Sequence, residues 1–179
     1  MGSQQTGKGA GLIPFCKTTK RFLLFFRSEK IGYFPRTWAG VGGKVDDVDG
    51  NKYKNSALRE MCEETMFCEK IPLRLLYIYR EEKFTYRNYI GFVETEFDCV
   101  LNWENEEVKW VTLSEMKNHE NLHPGFAQML DYWFPGKVTP QMVKSFEQGV
   151  MQMVSNSINE AKTQHKKVEE EIKKRIKEG

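Results

Sequence analysis

Three acidic residues, Glu60, Glu63 and Glu64, stand within a five-residue window. On an α-helix the spacings i, i+3 and i+4 bring all three carboxylates onto one face. Like charges held that close repel one another. The cluster becomes tolerable when a hard cation sits among them, and Mg²⁺ prefers oxygen ligands of this kind. Arg59 adjoins the cluster and stands i, i+4 from Glu63, so it can orient a carboxylate by a charge-assisted hydrogen bond. Upstream lies Gly42-Gly43-Lys44. An acidic helix face alone is commonly just a solvated surface. Here a glycine loop, an arginine and the acidic helix follow one another in order, and that combination points to a site.

Positioning those carboxylates requires a helix over about residues 55–66, with Asn55 as its N-cap. Leu58, Met61 and Thr65 fall on a different face, available to a core. Apolar runs at residues 11–16 and 22–26 flank Lys17-Thr18-Thr19-Lys20 and predict a hairpin. Residues 37–41 run into the glycine pair. Residues 73–79 and 86–93 are rich in aromatic and branched side chains, as strands are, and 108–111 reads as a further short strand. Thr112 with Glu115 forms a capping box for a helix at 114–119. Pro124 opens another helix reaching Trp133, which Pro135-Gly136 stops. From Thr139-Pro140 onward, apolar residues recur mostly at spacings of three and four, from Phe146 through Val150 and Met153 to Val168 and Ile172. That pattern predicts an amphipathic helical extension over residues 137–179.

Composition narrows the classes. The 179 residues carry 27 basic and 25 acidic groups for a net charge of +2, and 40% are hydrophobic. A core is affordable, and the near balance gives no general argument for nucleic-acid binding. Four cysteines occur without a C-x-x-C pair, and the reading expects no secretory leader, so reduced thiols are expected. No apolar run approaches the roughly 20 residues that span a bilayer. The expectation is a soluble, cytoplasmic protein without membrane contact. Gly2, Gly7 and Lys8 mimic a phosphate-binding loop, but Gly9 stands where its hydroxyl residue belongs. Met1-Gly2 with Thr6 fits a loose myristoylation pattern. Residues 1–8 are better read as a flexible N-terminus. His119 and His123, spaced i, i+4, are read as a helix end rather than a zinc site.

The residues now quoted resemble the Nudix box, G-x5-E-x7-R-E-U-x-E-E-x-G-U, where U is aliphatic. Gly43 matches the opening glycine, Arg59-Glu60-Met61 the R-E-U, and Glu63-Glu64 the E-E, while Phe67 takes the last position. The spacing from Gly43 to Arg59 is two residues longer than the pattern. The first acidic position therefore falls on Asp49 counted forward from Gly43, or on Asn51 counted back from Arg59. Met66 replaces the late glycine. The resemblance extends over residues 9–134 and implies an α/β fold, a mixed β-sheet sandwiched between helices, in a domain over residues 9–136.

It also implies a reaction, the metal-dependent hydrolysis of a pyrophosphate bond in a nucleoside diphosphate linked to another moiety. In matching positions, Glu60, Glu63, Glu64 and the Gly42 carbonyl become ligands for Mg²⁺, with Mn²⁺ as a substitute. Arg59 and Glu60 join the catalytic set. Glu104, six residues before Trp110, is the first choice of general base, with Glu106, Glu107 and Glu60 as alternatives. Arg27, Arg36 and Lys44 are candidate phosphate contacts; Trp38, with Phe34, Tyr79 and Tyr86, is a candidate to stack on a base. The substrate is expected to be a nucleotide-type small molecule, with RNA 5′ ends within the open set. The competing class is a noncatalytic nucleotide- or partner-binding module of the same fold. The C-terminal helix is open to self-association, to a partner or to folding back.

Overall fold

The computed structural model describes residues 7–178. Its strands are β1 (Gly7–Cys16), β2 (Arg21–Arg27), β3 (Trp38–Ala39), β4 (Val41–Lys44), β5 (Leu73–Glu81), β6 (Phe84–Val93) and β7 (Asn105–Val111). Its helices are α1 (Tyr53–Thr65), α2 (Leu113–Lys117), α3 (Pro124–Trp133) and α4 (Pro140–Glu178), with a short 3-10 turn at Asp47–Asp49. The chain divides into two compact units between Val143 and Lys144. The phosphate-loop and myristoylation patterns rest on residues 1–6, which lie outside the described residues, whereas Gly7 and Lys8 open β1.

β1 organises the mixed sheet. Along one edge it pairs parallel with β6, from Gly7 opposite Phe84 to Cys16 opposite Val93. Its other edge is shared: Gly9 to Leu12 pair with β4, and Phe15 and Cys16 pair with β2. Pro14 falls between the two ladders, where its missing N–H costs no hydrogen bond. β2 then diverges to pair with β3 and β7. The strands therefore open a gap beside β4, and the candidate site is built there.

Side-chain alternation divides the core. Ala10, Leu12, Leu23, Phe25 and Val41 pack with Ala57 and Met61 of α1. Residues of the other phase, Ile13, Phe15, Phe22, Leu24 and Phe92, are also buried, facing away from α1. Phe15 contacts Phe22 at 4.9 Å and Phe92 at 6.4 Å between ring centroids. Both sheet faces are covered, as the α/β reading requires. The capping box opens α2: Thr112 Oγ1 accepts from the Glu115 amide at 3.2 Å, and Glu115 Oε2 from the Thr112 amide at 2.7 Å. No helix among the described residues is long and apolar enough to cross a membrane.

α4 is one continuous helix of 39 residues. Thr139 Oγ1 accepts from the Met142 amide at its start. Val168, Ile172 and Ile176 are exposed along its outer half, interleaved with pairs such as Arg175–Glu171.

Two expectations are corrected. α1 begins at Tyr53, two residues before the expected cap, and Lys52 at its N-cap makes no side-chain capping bond. Asn55 lies inside the helix instead, donating Nδ2 to the Asp49 carbonyl at 3.0 Å. The four cysteines are not all free: Cys62 and Cys68 form a disulfide across the end of α1, leaving Cys16 and Cys99 as thiols.

The helix ends at Met66, which adopts φ 62° and donates its amide to the Cys62 carbonyl. A left-handed helix end favours glycine, because Cβ crowds the following carbonyl. Met66→Gly is expected to raise stability by about 0.5–1 kcal/mol, since relief of that crowding outweighs the added freedom of the unfolded chain. Denaturant unfolding with the disulfide intact checks it; a lower midpoint would contradict it.

Candidate functional site

The site starts from two glycines on β4. Because β4 alternates, Gly43 and Gly42 face opposite sides of the sheet. A Cβ at Gly43 would lie 2.4 Å from Glu60 Oε1, so only glycine lets α1 lay that carboxylate against the strand. A Cβ at Gly42 would lie 2.2 Å from Tyr86 Oη and 2.5 Å from the Ala10 carbonyl oxygen. β4 is thus a bare backbone wall with a carboxylate on one side and a phenol on the other.

Arg59 locks the acidic face of α1. Its Nε donates to Asp49 Oδ1 at 2.9 Å and its Nη1 to Glu63 Oε2 at 3.0 Å. Nη2 donates to the Lys44 carbonyl at 2.9 Å and lies 3.0 Å from Glu60 Oε1. Each nitrogen of the guanidinium is thus engaged by the protein. Asp49 is buried, its carboxyl held below the usual range by the Arg59 hydrogen bond. Its Oδ2 also accepts from the Asp46 amide at 2.9 Å. Asn51 is exposed at φ 56°. Of the two alternatives for the first acidic position, Asp49 is the residue that reaches the arginine.

Glu60 and Glu64 are both buried, at 8% and 4% exposure. Burial pushes Glu60 up to about 7, outweighing the pull of Arg59. It pushes Glu64 up to about 8, despite hydrogen bonds from Asn105 and Gly42. Glu64 Oε1 accepts from the Gly42 amide at 3.0 Å, and Oε2 from Asn105 Nδ2 at 2.5 Å. Glu63 is exposed and reaches Arg59.

Glu104 precedes β7, and its charge adds to the upward shift of both buried carboxylates. Asn102 Nδ2 donates to Glu104 Oε1 at 3.2 Å. Glu106 turns away, accepting from the Glu29 amide and lying 3.9 Å from Arg36. Glu107 is exposed, paired across the strands with Phe26. Of Glu104, Glu106 and Glu107, Glu104 is the one whose charge acts on both buried carboxylates.

Among the described residues, no three acidic, histidine or cysteine side chains already converge on one point. The donor set still suits a hard cation. Mg²⁺ retains several waters and takes only one or two carboxylates, and buried carboxylates that bind protons this readily are poised to exchange them for a metal. His123 Nδ1 accepts from the Gly125 amide at 3.1 Å, and His119 Nδ1 lies 2.7 Å from the Glu120 carbonyl oxygen.

The other expected contacts separate. Arg27 donates Nη2 to the Tyr33 carbonyl at 2.8 Å and Nε to the Phe34 carbonyl at 3.3 Å, and it interacts with Tyr86, Glu64 and Glu104. The register shift between Phe26 and Arg27 accompanies this turn toward the site. Arg36 lies over the Phe26 ring at 5.3 Å. Lys44 contributes its carbonyl to Arg59 while its side chain is exposed. Trp38 is buried between Phe26 and His119, so its ring is a wall of the fold rather than an open stacking face. Phe34 is half exposed, with its ring centroid 4.7 Å from that of His123. Burial, with Arg27 nearby, pushes His123 down to about 4, so it is neutral at pH 7.

Sequence reasoning missed Asn105 and His123. Simple alternation puts Asn105 out of phase with Val108 and Trp110, and the register shift between Phe26 and Arg27 is what turns it inward, so no sequence signal marked it.

The profile of the NUDIX domain matches residues 5–133. A putative nudix hydrolase 7 of Caenorhabditis elegans is 37% identical over 59 residues, 31% of this chain; the match spans 20% of that relative's length. The crystal structure of a C. elegans Ap4A hydrolase binary complex has 19% identity and a TM-score of 0.57, covering 80% of this chain and 98% of its own. The NUDIX domain of Shewanella oneidensis NrtR, complexed with ADP ribose, has 17% identity and a TM-score of 0.56, covering 72% and 86%. At these identities the solved structures speak for the fold.

The raised carboxylates predict a pH dependence. From the ordinary 4.5 up to about 8, the folded protein holds more protons on Glu60 and Glu64 than the unfolded chain does. Stability therefore falls as pH rises through that window. Metal-free protein should lose Tm between pH 5 and 8.5, more steeply than Glu64→Gln does, and Mg²⁺ should raise Tm more at pH 8 than at pH 6. Parallel Tm profiles for the two proteins would contradict this.

Proposed function

The chain belongs to the NUDIX domain family, and from that premise we propose that it is a pyrophosphohydrolase acting on a nucleoside diphosphate linked to another group. The observation that carries this reading is the pair of buried carboxylates, Glu60 and Glu64, set beside a strand without side chains at Gly42 and Gly43. A pyrophosphate bridge is anionic and repels nucleophiles, so its hydrolysis needs charge neutralised, water positioned and the leaving phosphate stabilised. One fold neighbour is an Ap4A hydrolase and another is complexed with ADP ribose. Each ligand contains a nucleoside joined through a phosphoric anhydride, which supports the same substrate class for this chain.

Glu60, Glu63, Glu64 and the Gly42 carbonyl are the groups that would hold Mg²⁺, or Mn²⁺ in its place. When bound, such an ion supplies positive charge against the phosphate oxygens and makes water a stronger acid. The remaining work falls to the chain. Glu104 takes the proton of the attacking water as oxygen bonds to phosphorus and the bridging P–O bond breaks. Its nearness to Glu60 and Glu64, and the Asn102 hydrogen bond, support that role over Glu106 and Glu107. Glu60 is the alternative base. Arg27 neutralises a phosphate, Arg59 holds the acidic face in register, and Phe34 with His123 flanks the nucleoside.

A panel of nucleoside diphosphate derivatives with Mg²⁺ or Mn²⁺, with products identified by mass, tests the activity. Glu64→Gln is expected to lower turnover by orders of magnitude with the fold retained, because a neutral amide replaces a charged ligand. Glu104→Gln should lower kcat by about 10²–10⁴-fold with metal affinity changed less. Unchanged kcat in Glu104→Gln beside a large loss in Glu60→Gln would move the base to α1. The absence of any turnover across the panel would favour a binding module instead.

A further inference from the structure

Tyr86 stands at the junction of the two sides of β4. It lies on β6 opposite Gly9, on the sheet face turned away from α1. Its ring is laid along the glycines of β1. A Cβ at Gly9 would meet Cδ2 at 2.4 Å, and one at Gly11 would meet Cε1 at 2.9 Å and Oη at 2.5 Å. The hydroxyl then reaches across to Gly42, whose amide is the one bonded to Glu64. Three glycines from two strands thus make room for one phenol. The sequence places Gly9, Gly11 and Gly42 without any turn that would demand the first two.

A ring laid against backbone in this way is not offered as a stacking platform, which is the role its aromatic character alone suggests. Its functional end is the hydroxyl. Among the described residues no hydrogen-bond partner is found for Tyr86 Oη, although Arg27, Glu60 and Glu64 all act on it electrostatically. Arg27 engages the Tyr33 and Phe34 carbonyls through Nη2 and Nε, and its charge acts on Tyr86. A donor hydroxyl and a guanidinium cation therefore interact near the carboxylates. An anionic oxygen is what such a pair of donors recognises.

Resting on the hydrolase reading above, we propose that Tyr86 is a substrate-contact residue: its hydroxyl donates to a phosphate oxygen of the pyrophosphate, opposite Arg27. The glycines at 9 and 11 act through Tyr86 by fixing where its hydroxyl lies.

Tyr86→Phe tests this with the full chain, because it removes one oxygen and retains the ring. The probe is imidodiphosphate, in which NH replaces the bridging oxygen of pyrophosphate and the non-bridging oxygens are retained, titrated calorimetrically in the presence of Mg²⁺, alongside Mg²⁺ alone. The variant is expected to weaken imidodiphosphate binding by about 10–100-fold, the scale of a hydrogen bond to a charged group, with the Mg²⁺ affinity and Tm unchanged. Equal imidodiphosphate affinity in both proteins would overturn the assignment. So would a loss matched by an equal loss for Mg²⁺ alone, which would make Tyr86 a packing residue of the metal site. Failure of the wild-type protein to bind the probe with Mg²⁺ would overturn the hydrolase reading and this contact together, whereas wild-type binding with an unaffected variant removes Tyr86 alone.

Discussion

The close approach of α1 to the bare backbone of β4 is the constraint on which the site depends. Ala57 and Met61 pin the helix into the core shared with Leu12, Phe25 and Val41. That anchoring places Glu60 where a side chain at position 43 would otherwise stand. Burying carboxylates is unfavourable, and the upward shifts of Glu60 and Glu64 express that cost. Arg59 offsets it in part, by joining Asp49, Glu60, Glu63 and the Lys44 carbonyl in one network. Hydrophobic packing thus supplies the position, and the arginine supplies the orientation.

The glycine pair of β4 also joins two environments. One side of β4 carries the α1 carboxylates, and the other carries Tyr86. Glu64 is tied to the wall itself through the Gly42 amide and to β7 through Asn105. The divergence of β2 from β1 brings Arg27 and Glu104 to the same place from the second part of the sheet. In the proposed reaction, groups that bind cations and groups that bind phosphate thus meet at one backbone segment, contributed by elements far apart in sequence.

Much of this was legible in the residues because it is local. The i, i+3, i+4 spacing of Glu60, Glu63 and Glu64 fixes a common helix face, and strand alternation and the Thr112–Glu115 capping box are equally short-ranged. What the sequence left open depended on tertiary partners. Asp49 and Asn51 are equivalent by counting, and only the reach of Arg59 separates them. Asn55 has the chemistry of a cap, yet the Asp49 carbonyl claims its side chain inside the helix. Trp38 could not be known as a buried wall before Phe26 and His119 closed on it. The Cys62–Cys68 bridge follows from the left-handed turn at Met66, which brings the two residues to a Cα separation of 4.4 Å.

In the proposed reaction, the missing side chain at position 43 holds Glu60 where it would bind metal. Gly43→Ala tests it most directly, because the first atoms in the way belong to the end of a flexible side chain, so the fold can survive while the carboxylate moves. Mn²⁺ binding followed by electron paramagnetic resonance, with circular dichroism as the control for folding, is the measurement. The variant is expected to keep native circular dichroism while its Mn²⁺ affinity falls at least about tenfold, since a displaced charged ligand is lost from the site. A folded Gly43→Ala protein that binds Mn²⁺ as tightly as the wild type would contradict it.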